Sequence, residues 1–187
     1  SQKNGYFCPK QFDNSWNPLA HMKHTGPEIE KTLKNSNIGE LDVFITGAGT
    51  GGTIMGIFHH FSQKNPNFQA FPVFPDKNED GGHRIEGIGD SFVPEILSLD
   101  SLGPIFRVSD SDAINIARQI NKLGLSVGIS SGANVFSAFC KAAESEGKIV
   151  GTILCDDNKK YLSTDLVTNT EEKQSKDIQI TNFEIIN

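Results

Sequence analysis

The chain is poor in the residues that mark several common classes of protein. It has 3 cysteines in 187 residues, Cys8, Cys140 and Cys155, and none in C-x-x-C spacing. An odd, scattered set excludes a disulfide framework or a cysteine zinc site as the organising device, and it suits a reducing cytoplasm. Basic residues are outnumbered. The 17 Lys and Arg against 23 Asp and Glu leave a net charge of −6 with no basic block, which argues against nucleic acid as the main partner. No apolar run approaches the length of a membrane span. The opening residues Ser1-Gln2-Lys3-Asn4-Gly5 carry no signal-peptide apolar region. What remains is an ordinary globular composition, 36% hydrophobic and 21% charged, long enough for one domain with a core of its own.

Glycine is locally abundant instead. Gly47-Ala48-Gly49-Thr50-Gly51-Gly52-Thr53 follows an apolar run at residues 41–46 that reads as a buried strand, and a helix is expected over residues 54–63. Glycines let the backbone turn tightly, so that successive N–H groups point at one anion, and a helix start adds unpaired donors and partial positive charge. Thr50 and Thr53 add hydroxyls. Three ligand classes compete. A nucleoside triphosphate loop needs Lys where Gly52 stands. A dinucleotide fingerprint is met by Gly47, Gly49 and Gly52, with Asp76 ending the next apolar run. A monophosphate suits the crowding of Gly49-Thr50-Gly51-Gly52-Thr53 around one point. A tight turn without ligand is the plain alternative.

Along the chain, residues 1–20 read as irregular, with Trp16 as a packing anchor. His21 and His24 stand three apart, but no carboxylate pattern supports a metal. Thr25-Gly26-Pro27-Glu28 reads as a helix start capped by Thr25 or Gly26. Strands are expected at residues 70–74, 105–108 and 149–154. Helices are expected from Ser109 or Asp110 to Gly124, with one apolar face on Ala113, Ile114, Ala117 and Ile120, and over residues 134–145. Between them, Ile85-Glu86-Gly87-Ile88-Gly89-Asp90 reads as a flexible loop with two acids, either an active-site element or a surface turn. Cys155-Asp156-Asp157-Asn158 falls at the end of the last strand, where α/β sheets gather ligands. The alternation implies an α/β fold with a mostly parallel sheet and helices on both faces. Residues 1–166 form the domain, and residues 167–187 a tail that docks late or belongs to an interface.

Taken together, several short motifs resemble the cysteine synthase and cystathionine β-synthase family of pyridoxal-phosphate enzymes. They are Gln11-Phe12-Asp13-Asn14, Asn17-Pro18, Thr25-Gly26-Pro27-Glu28-Ile29, the Gly49–Thr53 loop, Ile85-Glu86-Gly87-Ile88-Gly89, Val127-Gly128-Ile129-Ser130-Ser131-Gly132-Ala133-Asn134 and Tyr161-Leu162-Ser163-Thr164. The resemblance covers most of residues 6–166. It implies the larger domain of the tryptophan synthase β-like fold, with Gly49, Thr50, Gly51, Gly52 and Thr53 holding the phosphate of pyridoxal 5'-phosphate. It also implies β-replacement on a small amino acid by a thiol or sulfide, with O-acetylserine and sulfide giving cysteine as the default. A homodimer and a serine acetyltransferase partner are further implications.

The chain departs from the family in three places. The Ser-x-Lys-x-Arg segment bearing the family's cofactor lysine and the following Ser-Gly-Asn loop have no counterpart, so this segment is expected to be inactive by itself. Asp157 stands where the family has a serine facing the pyridine nitrogen, with Cys155 at the preceding proline. A carboxylate there would favour a protonated ring. Glu86 replaces the glutamine usual in O-acetylserine-using relatives, and Asp90 adds an acid. Either could act as a general base on water or a thiol. That opens a cysteine lyase releasing hydrogen sulfide, or a cystathionine β-synthase-like activity. A non-catalytic fragment or a regulatory relative is the alternative of another class.

Overall fold

The computed structural model describes residues 5–77, 81–89, 92–168 and 178–184, and every structural statement concerns these. The apolar run before the glycine loop forms strand β1 (Val43–Gly47). Its side chains alternate between two separate apolar clusters, with Val43 and Ile45 in one and Phe44 in the other. That period of two is what a strand covered on both faces requires. Helix α3 (Gly52–Ser62) returns the chain to strand β2 (Gln69–Pro75), which pairs parallel with β1, Val43 opposite Gln69 and Gly47 opposite Val73. Strand β3 (Phe106–Val108) lies outside β2, and the short β4 (Val150–Gly151) lies on the other side of β1. The order is β3-β2-β1-β4, all parallel. β4 is shorter than the expected strand at residues 149–154. Beyond Gly151, the Thr152 hydroxyl donates to the Ile45 carbonyl at 2.6 Å.

Helices cover both faces. On one side α3 (Gly52–Ser62) buries Ile54, Met55, Ile57 and Phe61. On the other, α4 (Asp110–Lys122) and α5 (Ile129–Ala143) bury Ala113, Ile114, Ala117, Ile129, Ala133 and Phe136. Ser109 caps α4 as expected, its hydroxyl accepting the Asp112 N–H at 3.1 Å. Among the described residues, no helix is long and apolar enough to cross a membrane. Ile178 and Ile180 pack against the α4–α5 cluster, and the Gln119 amide bonds both, accepting Ile180 N–H and donating to Ile178 C=O.

Four expectations are corrected. Residues 16–20 are helical (α1, Trp16–Ala20) and continue through a π turn at His21–Thr25 into α2 (Gly26–Asn35). Thr25 therefore caps nothing. Its backbone is already helical, and its hydroxyl contacts His21 Nδ1 at 2.9 Å. Trp16 is 73% exposed and anchors no core among the described residues, because α1 turns Asn17, Pro18 and Leu19 inward instead. Helix α5 starts at Ile129, five residues before the expected start, because the polar residues Ser130 and Ser131 are buried inside its first turn. Ser131 there accepts the Cys155 N–H at 2.9 Å.

The α2–α3 packing carries a charged link. Glu30 takes Lys34 Nζ and His60 Nε2 at 2.7 and 2.8 Å, and also Lys64. The Lys34 hydrogen bond first, then those from Lys64 and His60, hold its carboxyl down from 4.5 to about 2. A depressed folded-state value stabilises the fold above 4.5, and that stabilisation is lost as pH falls toward 2. Urea denaturation at about pH 6 and about pH 3 is expected to show a smaller acid loss in Glu30→Gln than in the parent chain. Equal losses would mean that the link contributes nothing.

Candidate functional site

Three segments meet at the C-terminal edge of the sheet: the glycine loop after β1, the acidic loop at residues 81–89, and residues 155–168 after β4. The glycine loop is shaped by close approaches. Gly51 precedes α3 with φ +85, and a Cβ there would lie 2.7 Å from Leu97 Cβ. Only glycine takes that backbone conformation without strain. A Cβ on Gly49 would run into the Gly87 carbonyl oxygen, and one on Gly52 into the Asn17 amide. The loop is thus enclosed on one side by the acidic loop and on the other by Asn17. Gly89 N–H donates to Ala48 C=O at 3.1 Å, which ties the two loops together.

Donors converge here. The first turn of α3 leaves N–H groups without helical acceptors. Thr50 Oγ1 accepts Asn17 Nδ2 at 3.0 Å and Gly52 N–H at 3.2 Å, which leaves its own proton for a ligand. Thr53 Oγ1 lies 3.3 Å from His21 Nε2, and the other nitrogen of that ring meets Thr25. Burial lowers the pKa of His21, favouring the neutral ring. Backbone, hydroxyls and helix start fit a phosphate monoester. The absence of room at Gly49, Gly51 and Gly52 for any side chain fits it too.

The strand ends are held by Asn134, which is fully buried. Its Oδ1 accepts Gly47 N–H at 2.7 Å, and its Nδ2 donates to Ile153 C=O at 2.9 Å. Cys155 is exposed as a residue, but its Sγ rests 3.5 Å from that amide, and burial of the thiol pushes its pKa up. Asp156 Oδ2 accepts the Tyr161 hydroxyl at 3.0 Å. Burial, that bond, and the charges of Asp156 and Glu86 raise the Tyr161 phenol. Glu86 is exposed and bears on the same corner of the site. Asp157 faces Lys159 instead: it accepts the Lys159 N–H at 2.9 Å and pairs with Nζ at 3.2 Å, and the backbone bond first lowers its pKa. Asp90 lies outside the described residues. A groove at the opposite edge of the sheet, lined by Asp42, Phe68, Gln69, Ser101 and Lys148, faces the N-terminal strand ends. None of the converging donors reaches it.

A family model for pyridoxal-phosphate dependent enzymes matches residues 1–156. The chain belongs to the pyridoxal-phosphate-dependent enzyme family. Cysteine synthase B of Campylobacter jejuni is 43% identical over 166 residues, covering 86% of this chain and 54% of that protein. Cysteine synthase of Staphylococcus aureus is 35% identical over 173 residues, covering 88% and 55%. The crystal structure of a hydrogen sulfide-producing enzyme from Fusobacterium nucleatum superposes with a TM-score of 0.84 at 40% identity, covering 91% of this chain and 53% of that one. The chain spans about half the length of the curated relatives that it matches.

The fold sets Gly87, the neighbour of Glu86, against Gly49 of the glycine loop. Sequence reasoning gave no role to Asn17, His21, Arg84 or Asn134. Asn17 and Asn134 sit inside motifs that were recognised, and each is a polar residue flanked by apolar or proline neighbours. That is a legible sign of a buried amide with backbone partners.

Proposed function

We propose that this chain holds the cofactor phosphate in a pyridoxal-phosphate-dependent β-replacement enzyme of sulfur amino-acid metabolism. Cysteine synthase, making cysteine from O-acetylserine and sulfide, is the principal reading. The observation that carries it is the enclosed glycine loop, whose helix-start donors and threonine hydroxyls converge between Asn17 and Gly87. The names of the relatives from C. jejuni and S. aureus support the choice of reaction. When bound, pyridoxal phosphate supplies an electron sink for bond breaking on the amino acid. The residues of this chain bind and orient it. Thr50 and Thr53 donate to the phosphate, and His21 fixes the Thr53 rotamer. Glu86 and Asp90 are assigned general-base work on the incoming thiol or water. Asp157 is assigned to favouring a protonated cofactor ring, a role for which it must exchange its bonds to Lys159. The lysine that fixes the cofactor covalently is assigned to sequence other than these motifs, and the chain by itself to an inactive state. A homodimer, a serine acetyltransferase partner and a cytoplasmic location belong to the same proposal.

A cysteine lyase is the second reading. Glu86 favours it, as a carboxylate whose charge reaches Tyr161, in place of an amide, and so does the likeness to an enzyme named for producing hydrogen sulfide.

The test is to titrate the chain with pyridoxal phosphate, compete with inorganic phosphate, then reduce with borohydride and map lysines by mass. Saturable binding displaced by phosphate, with no lysine modified stoichiometrically, is the expected result. Stoichiometric reduction onto a single lysine would overturn the inactive assignment. Binding indifferent to phosphate would overturn the loop assignment.

A further inference from the structure

We propose that Arg84 is a positioning residue that sets where the acidic loop, and Glu86 with it, stands over the phosphate loop. The functional weight of this rests on the reading of Glu86 given above. The loop at residues 81–89 belongs to no helix or strand, and Gly81, Gly87 and Gly89 have positive φ. A segment of that make-up keeps a defined position only through its own anchors. Ile85 and Ile88 are two, both sunk in the α4–α5 cluster. They fix depth, since apolar contacts are non-directional, but they do not fix the direction of the exposed carboxylate between them.

Arg84 supplies direction. Its backbone N–H donates to Asp110 Oδ1 at 2.8 Å, and its Nε donates to Asp110 Oδ2 at 3.2 Å. Its Nη1 pairs with Asp165. Asp110 is 5% exposed and opens α4, so its carboxylate is a fixed point. Asp165 belongs to the turn that follows Tyr161. That turn is held independently by Arg118, which donates to the carbonyls of Leu166 and Thr168 at 3.3 and 2.9 Å. Tyr161 in turn donates to Asp156. A single guanidinium therefore locks the loop that carries Glu86 to the segment that carries Asp156 and Tyr161. A planar fork with donors in two directions serves both carboxylates at once, whereas a lysine ammonium serves one.

The experiment is amide hydrogen exchange on the 187-residue chain, run beside the pyridoxal phosphate titration so that the two readings fail separately. Arg84→Ala is expected to speed exchange at Ile85, Gly87, Ile88 and Gly89 by about tenfold or more, with Ile45 and Val73 within about twofold of the parent chain. Arg84→Lys is expected to recover part of the protection and Asp165→Asn to lose part of it. These two variants serve also if Arg84→Ala does not fold, because each leaves Asp110 a charged or backbone partner. Unchanged exchange in the loop for all three overturns the proposal. So does an equal rise in the loop and in β1 and β2, which would make Arg84 a general stabiliser. Loss of cofactor binding in the parent chain would overturn the functional reading and leave the role of Arg84 in holding the loop intact.

Discussion

Gly49→Ala is expected to cost about 100-fold in affinity for pyridoxal phosphate or inorganic phosphate, which is ~3 kcal/mol. The added methyl has no place to go. It would meet the Gly87 carbonyl oxygen, a backbone atom that cannot swing aside as a side chain can. One of the two loops must move, and they are joined next door by the Gly89 N–H to Ala48 bond. Either movement spoils the convergence of donors, and a phosphate site depends on several donors sharing one point. Gly82→Ala is the matched control: it lies in the same acidic loop, with nothing within 4 Å of an added Cβ. Calorimetric titration of both variants decides it. Gly49→Ala binding within about twofold of the parent would show that the enclosure is not what holds the anion.

Asn134→Leu is expected to destabilise the fold by about 3 kcal/mol, a drop of roughly 10 °C in Tm for a chain of this size. Leucine fills much the same volume, so the loss is not a cavity. It comes from the groups left behind. Gly47 N–H and Ile153 C=O, on half-buried residues, would lose their partner amide, and Thr46 would lose a contact at 3.3 Å. Unpaired buried groups cost more than the bond itself contributes. Asn134→Asp keeps the acceptor for Gly47 and loses the donor for Ile153, so it should separate the two ends. Thermal unfolding of both variants is the measurement. A Tm unchanged in Asn134→Leu would mean that water replaces the amide, and that the strand ends are not locked through this residue.

Both residues lie within motifs that the sequence displays openly, yet their roles were not equally legible. Four glycines in a run of seven between an apolar strand and a helix mark a tight strand-to-helix turn directly, because so much backbone freedom is otherwise destabilising. Strand β1, the helix after it and the Ser109 cap followed from local patterns in the same way, since period and capping are properties of neighbours in sequence. Trp16 shows the limit. An aromatic side chain reads as an anchor, but whether anything covers it depends on which face of α1 the rest of the fold meets. The start of α5 shows another. Ser130, Ser131 and Gly132 look like a loop because they are polar or small. They are helical because α4 presses so closely that a Cβ on Gly132 would strike the Ala113 carbonyl.

The sequence by itself determined the parallel α/β plan, the glycine loop between strand and helix, and the family, because each is written in short-range periodicity or in a contiguous motif. Only the tertiary structure decided the rest. It set Asn17 and Gly87 as the walls of the loop, turned Asp157 toward Lys159, and joined Arg84 to carboxylates 26 and 81 positions away in the chain. Such pairings are set by how the strands order themselves and how the helices pack. A carboxylate or an amide carries no local mark of the distant group that will satisfy it.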